Sequence, residues 1–174
     1  MPAPPPPMPA PPPPPAPPAP QPKPKQCAPE LKPHLFVLPN SIVITSTSGQ
    51  TWTHQYLPSL SPTNSTTFTY PIPTAWSSKT CSLIFTWPTK DKLQTSDYWV
   101  SGSGALSFAK ADGEGAGVEL GRVQPATEGR YVIWSGVCEA GKEVRFRGSS
   151  VGGVDLRWFQ DYNPEPIGLW VVAC

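Results

Sequence analysis

The chain has 174 residues and 27 prolines, and 16 of the prolines lie in the first 25 positions. Residues 26–174 hold every aromatic residue and all 4 cysteines, and their 11 basic against 12 acidic side chains leave a net charge near −1. This balance excludes the basic footprint of a nucleic-acid-binding domain and a cationic patch for anionic lipid. The sequence therefore predicts one folded domain over residues 27–174, large enough for a substantial core, after a separate proline-rich segment.

Residues 1–26 form the proline-rich segment. Prolines fix φ near the polyproline II value and remove amide donors, so we expect a disordered, semi-rigid spacer that reaches about 75–80 Å when extended. The segment has no apolar region of the kind that a secretory signal peptide requires, and we also see no membrane-spanning stretch in the chain. Runs such as residues 11–15 also fit the aromatic grooves of SH3 or WW domains, but a spacer is favoured because no arginine flanks them.

Short alternating runs bounded by Gly, Pro, Ser and Asn recur from residue 34 onwards, whereas helical periodicity is nearly absent. In chain order, the predicted strands are 34–38, 41–46, 51–56, 67–70, 81–87, 98–101, 106–110, 130–138, 144–147, 154–159 and 168–174. Alternation within 81–87 predicts one dry face, containing Leu83 and Phe85, and one wetter face, containing Ile84. The pattern predicts an all-β, antiparallel two-sheet β-sandwich, with a closed β-barrel as the alternative.

Cys27, Cys81, Cys138 and Cys174 are 54, 57 and 36 residues apart, so none belongs to a CxxC pair of the kind found in zinc sites. An even number of widely spaced cysteines predicts two disulfides and an extracellular or cell-wall location. Three pairings are open. Because domain termini usually lie close together, Cys27 with Cys174 and Cys81 with Cys138 is the favoured one.

Asn64, Ser65 and Thr66 form an N-glycosylation sequon within a stretch that reads as a loop. The sequon agrees with passage through the secretory route. An intracellular location, with four reduced thiols, is the alternative that the missing signal peptide leaves open.

Four blocks of the sequence, in order, carry a family resemblance: residues 33–39, 79–85 with Pro88, 98–104, and 158–170 followed by the terminal Cys174. Together they resemble the fungal ubiquitin-three-binding protein But-two C-terminal domain family, over residues 27–174. The resemblance implies a secreted or cell-surface β-rich domain without established catalytic activity. The family takes its name from a member that binds an activating enzyme for a ubiquitin-like modifier.

Catalytic and metal-binding patterns are weak. Residues 148–152 match GxSxG, but they lie between two predicted strands, whereas a nucleophile elbow leads into a helix. His34 and His54 lie in predicted strands without ligand-spaced partners. The loop marked by Gly113 contains Asp112 and Glu114, for which solvation is a sufficient explanation, and a second group of glycines, Gly148, Gly152 and Gly153, predicts a hairpin turn. We predict no enzyme, no cofactor and no metal.

Aromatic residues are the remaining candidates for a function. Seven tryptophans are enough for both a core and an exposed ligand platform, for which Trp52, Trp76, Trp99 and Tyr162 are the candidates, although core packing is the default for Tyr162. We expect a non-enzymatic interaction module whose partner is cell-wall polysaccharide or an extracellular protein. One alternative is a carbohydrate-binding module. Another is an intracellular adaptor that binds a ubiquitin-like-modifier activating enzyme or polyproline-recognising domains.

Overall fold

The strands of the protein follow the apolar runs of its sequence. The computed structural model describes residues 1–4, 16, 24–53, 56–125 and 128–174. Within these residues lie thirteen strands and two 3-10 turns, Thr74–Trp76 and Lys90–Lys92. The strands are β1 (Phe36–Val37), β2 (Ser41–Ser46), β3 (Thr51–Trp52), β4 (Ser59–Leu60), β5 (Asn64–Pro71), β6 (Thr80–Trp87), β7 (Tyr98–Ser101), β8 (Ala105–Lys110), β9 (Glu119–Val123), β10 (Gly129–Val137), β11 (Glu143–Val151), β12 (Asp155–Trp158) and β13 (Gly168–Ala173).

These strands form three sheets. A four-stranded sheet has the order β1-β13-β6-β10, a six-stranded sheet has the order β3-β2-β5-β11-β8-β9, and a small sheet has the order β4-β12-β7. The strand pairs within them are antiparallel. The sheets of the described residues are open, so the predicted antiparallel β-sandwich is confirmed over the closed barrel. The small sheet is an addition to the two that the sequence predicted.

Aromatic side chains from all three sheets meet in the core. Phe85 on β6 contacts Trp87 and Trp158, with ring centroids 5.6 and 5.8 Å apart. Trp158, on the small sheet, also stacks on Phe68 of the six-stranded sheet at 6.0 Å. Offset and edge-to-face contacts of this kind add to the stabilisation that burial provides. The small sheet is therefore fixed to the sandwich through its inward-facing side chains.

Strand β6 is buried on both faces, which corrects the expectation of a wetter second face. Ser82, Ile84 and Thr86 are at most 1% exposed. Residues 27–36 cover this face, and the backbone N–H of Cys27 donates to Ser82 Oγ at 3.0 Å. We call this second apolar group the outer cluster; it consists of Cys27, Ile84, Trp170 and Val172, with Leu31, Phe36 and Val132 packed against it. Alternation records polarity along one strand, so it could not show that another segment lies over the face.

Two disulfides join Cys27 to Cys174 and Cys81 to Cys138, the pairing that the sequence favours. Their Cα–Cα distances of 5.6 and 4.8 Å lie in the ordinary range for disulfides. The Cys27–Cys174 bond fastens residues 27–36, which cover the second face of β6, to the residue that follows β13. The second links β6 to the residue that follows β10, so each bond ties together parts of the chain that are far apart in sequence.

Some predicted boundaries are wrong. His34 lies in a turn with φ of 63°, outside the strand predicted for residues 34–38. The run 51–56 yields only the two residues of β3, and residues 54–55, including His54, lie outside the described part of the chain. Strands β4 and β9 were not predicted, because β4 is two residues long and β9 contains charged residues and a glycine.

Gly148 lies within β11 and not in the hairpin turn that the sequence predicted for it. A Cβ at this position would meet the side chain of Leu60 at 3.0 Å, so the glycine makes room for the small sheet against the six-stranded sheet. The turn itself is formed by Gly152 and Gly153, which adopt positive φ. Among the described residues, no helix is long and apolar enough to cross a membrane.

Candidate functional site

One wall of a cleft is the end of the six-stranded sheet. In β2, Ile44 pairs with Trp52 on one side and with Thr66 on the other, and Ser46 pairs with Asn64. Paired residues of antiparallel strands share a face, as do residues two apart on one strand. These side chains therefore continue the core-facing surface of the sheet past the point where the core ends.

The other wall is the small sheet. Arg157 on β12 pairs with Ser59 of β4 and with Trp99 of β7, so the three form one row across the sheet. The neighbouring positions Leu156 and Trp158 are completely buried, so this row lies on the face away from the core. Because side chains alternate along these strands, the ring of Trp158 on β12 faces the core, whereas the ring of Trp99 on the neighbouring strand β7 faces the cleft.

Two hydrogen bonds hold the walls together at the base of the cleft. Thr66 Oγ1 donates to the carbonyl oxygen of Ser59 at 2.8 Å and accepts from the backbone N–H of Ser59 at 3.1 Å. Thr66 is completely buried, so both bonds are shielded from water. The resulting tryptophan cleft has a volume of about 540 Å³ and is lined by Ile44, Trp52, Leu57, Ser59, Asn64, Trp99 and Arg157.

Trp52 and Trp99 present free indole rings to the cleft. They are 44% and 49% exposed, respectively. Within the described part of the chain, neither ring contacts another aromatic ring and neither indole N–H donates a hydrogen bond. An apolar ring face beside an unused donor suits a ligand that has both apolar and hydroxylated surfaces.

Among the described residues, the polar side chains of the cleft have weak hydrogen-bond partners or none. Arg157 is exposed, and among the described residues its guanidinium forms no hydrogen bond or ion pair. Asn64 Nδ2 donates to Ser59 Oγ at 3.4 Å, which is a long hydrogen bond. The lining residues include one cation and no carboxylate. The cleft therefore offers donors and a positive charge without a general acid and base pair.

The structure brings together only part of the predicted platform. Trp52 and Trp99 share the cleft, whereas Trp76 is 3% exposed and donates from Nε1 to the carbonyl oxygen of His34 at 3.2 Å. The expectation that Trp76 is exposed was wrong, because the 3-10 turn that contains it packs its ring against the core. Tyr162 is exposed, but its ring lies 5.9 Å from that of Phe36, outside the cleft.

Asn64 also departs from its prediction, since it begins β5 and does not lie in a loop. Its side chain is partly buried and lines the cleft. Sequence reasoning missed four further lining residues, Ile44, Leu57, Ser59 and Arg157. For Arg157 a signal existed, because it alternates with buried residues along β12, but the sequence does not show which exposed face becomes a cleft wall.

The chemical motifs of the sequence have structural roles where they are described. Ser150 of the GxSxG match donates to the carbonyl oxygen of Val154 across a strand-to-strand turn, so no nucleophile elbow forms here. Asp112 pairs with Arg145 at 3.5 Å on the surface. Hydrogen bonds from Ser107 and Arg122 lower the pKa of Glu119. Among the described residues, no three His, Cys, Asp or Glu side chains are placed to hold a metal ion.

A second groove, of about 620 Å³, runs beside residues 101–104. Its aromatic residues Trp87 and Tyr98 are already packed together, with ring centroids 4.2 Å apart. Because these rings pack against each other and Trp87 is only 3% exposed, this groove offers less aromatic surface to a ligand than the tryptophan cleft does.

Comparison with known proteins gives one match. No curated protein and no solved structure matches this chain. The family described as "Ubiquitin 3 binding protein But2 C-terminal domain" matches residues 37–164, which is most of the chain and includes strands of all three sheets. The family expected from the sequence blocks is therefore confirmed, and the chain belongs to the But2 C-terminal domain family.

Proposed function

We propose that this domain is a non-catalytic binding module that takes carbohydrate in the tryptophan cleft, outside the cell or at the cell wall. The observation that carries the proposal is the pair Trp52 and Trp99, which are distant in sequence and come from different sheets, yet present free rings to one cleft. Pyranose rings have apolar C–H faces that pack on indole and a rim of hydroxyls that take hydrogen bonds.

The rest of the cleft supports the same ligand class. Its volume lies within the range of small-molecule sites. The indole N–H groups and the guanidinium of Arg157 can donate to ring and hydroxyl oxygens, and Leu57 adds apolar surface, being 40% exposed. Carboxyl-bearing sugars would gain a charge-assisted bond to Arg157.

The two disulfides support the proposed compartment. Two disulfides in one domain favour an oxidising environment, since such bonds are rare in the cytosol. The proline-rich residues 1–26 are proposed to serve as a spacer that separates the domain from a neighbouring structure. A binding domain on a spacer would be able to reach polysaccharide at some distance from its point of attachment.

A glycan panel containing fungal and plant cell-wall polysaccharides, with tryptophan fluorescence as the readout, tests the proposal. We expect at least one saccharide to quench or shift the emission of the unglycosylated wild-type domain, and Trp99→Ala or Trp52→Ala to weaken binding at least tenfold. Tyr162→Ala is the matched control, because its exposed ring lies outside the cleft. Equal loss in Tyr162→Ala, or no response to any saccharide, contradicts the proposal.

A protein ligand is the second candidate function, and the family's description favours it because it names a protein that binds ubiquitin 3. Beside the cleft residue Leu57, Tyr56 is 72% exposed and its ring lies 6.5 Å from that of Phe159, which is 38% exposed. Exposed apolar groups of this kind are typical of protein contacts. Titration with ubiquitin and ubiquitin-like proteins tests it, and Tyr56→Ala should weaken such binding while leaving saccharide binding unchanged.

A further inference from the structure

We propose that Asn64 carries an N-linked glycan whose first sugar lies in the tryptophan cleft, so that glycosylation closes the cleft to external carbohydrate. The proposal rests on the function proposed for the cleft. Its starting observation is that the sequon asparagine and the two exposed tryptophans line the same cavity. The attachment point of a sugar and the surface suited to a sugar thus coincide.

Sheet geometry places Asn64 within reach of the indole rings. Asn64 lies on β5 opposite Ser46, and Trp52 lies on β3 opposite Ile44, two residues along β2 from Ser46. With strands about 4.8 Å apart and about 3.4 Å per residue, the backbones of Asn64 and Trp52 are about 12 Å apart on one face. The Asn64 side chain and one attached N-acetylhexosamine extend into this gap from one side. The indole of Trp52 extends into it from the other side, and together these groups are long enough to meet.

The side-chain amide of Asn64 makes no strong contact within the described structure. Its only described hydrogen bond, from Nδ2 to Ser59 Oγ, is long at 3.4 Å. The ladder between β11 and β5 ends at Thr66, and the backbone of Asn64 pairs with Ser61 in an isolated bridge, which a sugar on the side-chain nitrogen leaves intact. Replacing one amide proton by a sugar therefore disturbs no strong contact of the described structure.

The sequon must be used before β5 folds. Thr66, its third residue, is completely buried and bonded to Ser59, so it is inaccessible in the folded domain. In the secretory route an oligosaccharide is supplied as a lipid pyrophosphate ester. The Asn64 amide nitrogen forms a bond to the anomeric carbon, the bond from that carbon to the pyrophosphate oxygen breaks, the lipid pyrophosphate leaves with the electron pair, and the nitrogen loses one proton. Folding of β5 then delivers the attached sugar to the cleft.

An attached sugar competes strongly with a free one. Tethering through a single side chain gives it a local concentration in the millimolar range or above. If that concentration is roughly ten times the dissociation constant of the cleft for one sugar, the attached sugar occupies the cleft for most of the time and weakens the binding of an external saccharide about tenfold.

Secretion of the full chain from a eukaryotic host allows a direct test. Three forms are compared: the intact glycoprotein, the same protein trimmed by an endoglycosidase to one N-acetylglucosamine, and the wild-type chain secreted without its glycan while synthesis of the lipid-linked oligosaccharide is inhibited. Each is titrated with the saccharide that gives the largest response in the glycan panel, with tryptophan fluorescence and a direct binding isotherm as readouts. We expect the unglycosylated wild-type chain to bind, and both glycosylated forms to bind at least tenfold more weakly.

A glycan placed elsewhere is the matched control. Asp112→Asn with Glu114→Thr, made in the Asn64→Gln background, creates a sequon in an exposed hairpin outside the cleft. This form should bind as well as Asn64→Gln alone. If it binds as weakly as the Asn64 glycoprotein, the effect comes from any attached glycan and the proposal is overturned.

The remaining outcomes separate the two proposals. Equal binding by the glycosylated and unglycosylated wild-type forms overturns the occupancy of the cleft but leaves its carbohydrate function intact. An intact mass without a glycan on Asn64 also overturns it. If no form binds any saccharide, the proposed function fails. The occupancy of the cleft is then tested by NMR of the trimmed form. Contacts between the N-acetylglucosamine and the indoles of Trp52 and Trp99 would support an occupied cleft, and the absence of these contacts would overturn the occupancy.

Discussion

The two faces of the small sheet show how neighbouring positions of the same strands reach opposite environments. On one face Leu60, Leu156 and Trp158 are completely buried in the core. On the other face Trp99 is 49% exposed, in a row with Arg157. Composition does not distinguish these tryptophans; the pleat and the register do. A tryptophan in this fold therefore stabilises the core or serves a ligand according to its place in the strand alternation.

The largest effect is expected on the core face. Trp158→Ala removes a ring that contacts Phe68, Phe85 and Trp87, and it should lower the free energy of unfolding by about 3–5 kcal/mol. Chemical denaturation followed by circular dichroism measures the change. Trp158→Phe keeps an aromatic core and should lose less; an alanine variant within 1 kcal/mol of wild type would show that the small sheet is not anchored by this ring.

A perturbation remote from both faces comes next. Replacing Cys27 and Cys174 together by alanine removes the covalent link between the start of the covering segment and the residue after β13, and it should lower the free energy of unfolding by about 2–4 kcal/mol. Saccharide binding by the remaining folded fraction should not change, because the outer cluster lies away from the cleft. Thermal unfolding and the binding isotherm are measured on the same sample, and a loss of affinity without a loss of stability would contradict the separation of the two regions.

The contact between the two walls of the cleft can be weakened by Thr66→Val. This nearly isosteric change removes both hydrogen bonds to Ser59 and leaves the buried backbone of β4 without that partner, so we expect a loss of about 1–3 kcal/mol. It also removes the sequon, so it is compared with Asn64→Gln in an unglycosylated preparation. Stability equal to that of Asn64→Gln would show that the hydroxyl does not hold β4 in place.

A smaller, pH-dependent effect belongs to neither face. The hydrogen bond from Lys110, at 2.7 Å, lowers the pKa of Glu139 below its ordinary value of 4.5. A carboxyl whose pKa is lowered on folding stabilises the fold above its unfolded pKa, and that stabilisation disappears as the pH falls through the folded value. Because the carboxylate is partly exposed, the effect should stay below about 1 kcal/mol. Denaturation between pH 3 and 7 should show it in the wild type and not in Lys110→Met.

The smallest stability effect is expected on the cleft face. Trp99→Ala removes an exposed ring that has no described aromatic partner, so the free energy of unfolding should change by about 0.5 kcal/mol or less. The same variant should lose saccharide binding. Denaturation alongside Trp158→Ala makes the comparison directly, and a loss above 2 kcal/mol would place Trp99 among the structural residues.

Much of the fold could be predicted from local pattern. Alternation located most strands, and Arg145 and Arg147 are exposed between buried Val144 and Phe146, as their order in β11 predicts. The pattern failed where a strand was too short to alternate, as in β4. It also failed where a segment distant in sequence covers a face, as residues 27–36 cover Ile84.

The candidate site was harder to predict, because exposure depends on what packs against a residue. Trp52, Trp76 and Trp99 all have polar neighbours in the sequence, yet only Trp76 is buried. The sequence names the candidate aromatic residues but not the pair that shares a cleft. That Asn64 lies beside them follows from the register of β2 and β5, which no local pattern contains.

The sequence by itself determined the all-β class and the family, and it favoured the cysteine pairs that the structure contains, since these depend on composition, alternation and chain ends. Only the tertiary structure decided which tryptophans face the solvent, that β6 is covered on both sides, and that Asn64, Trp52 and Trp99 meet. The physical reason is that strand alternation fixes two faces for every strand, whereas burial of each face depends on strands and segments far away in sequence.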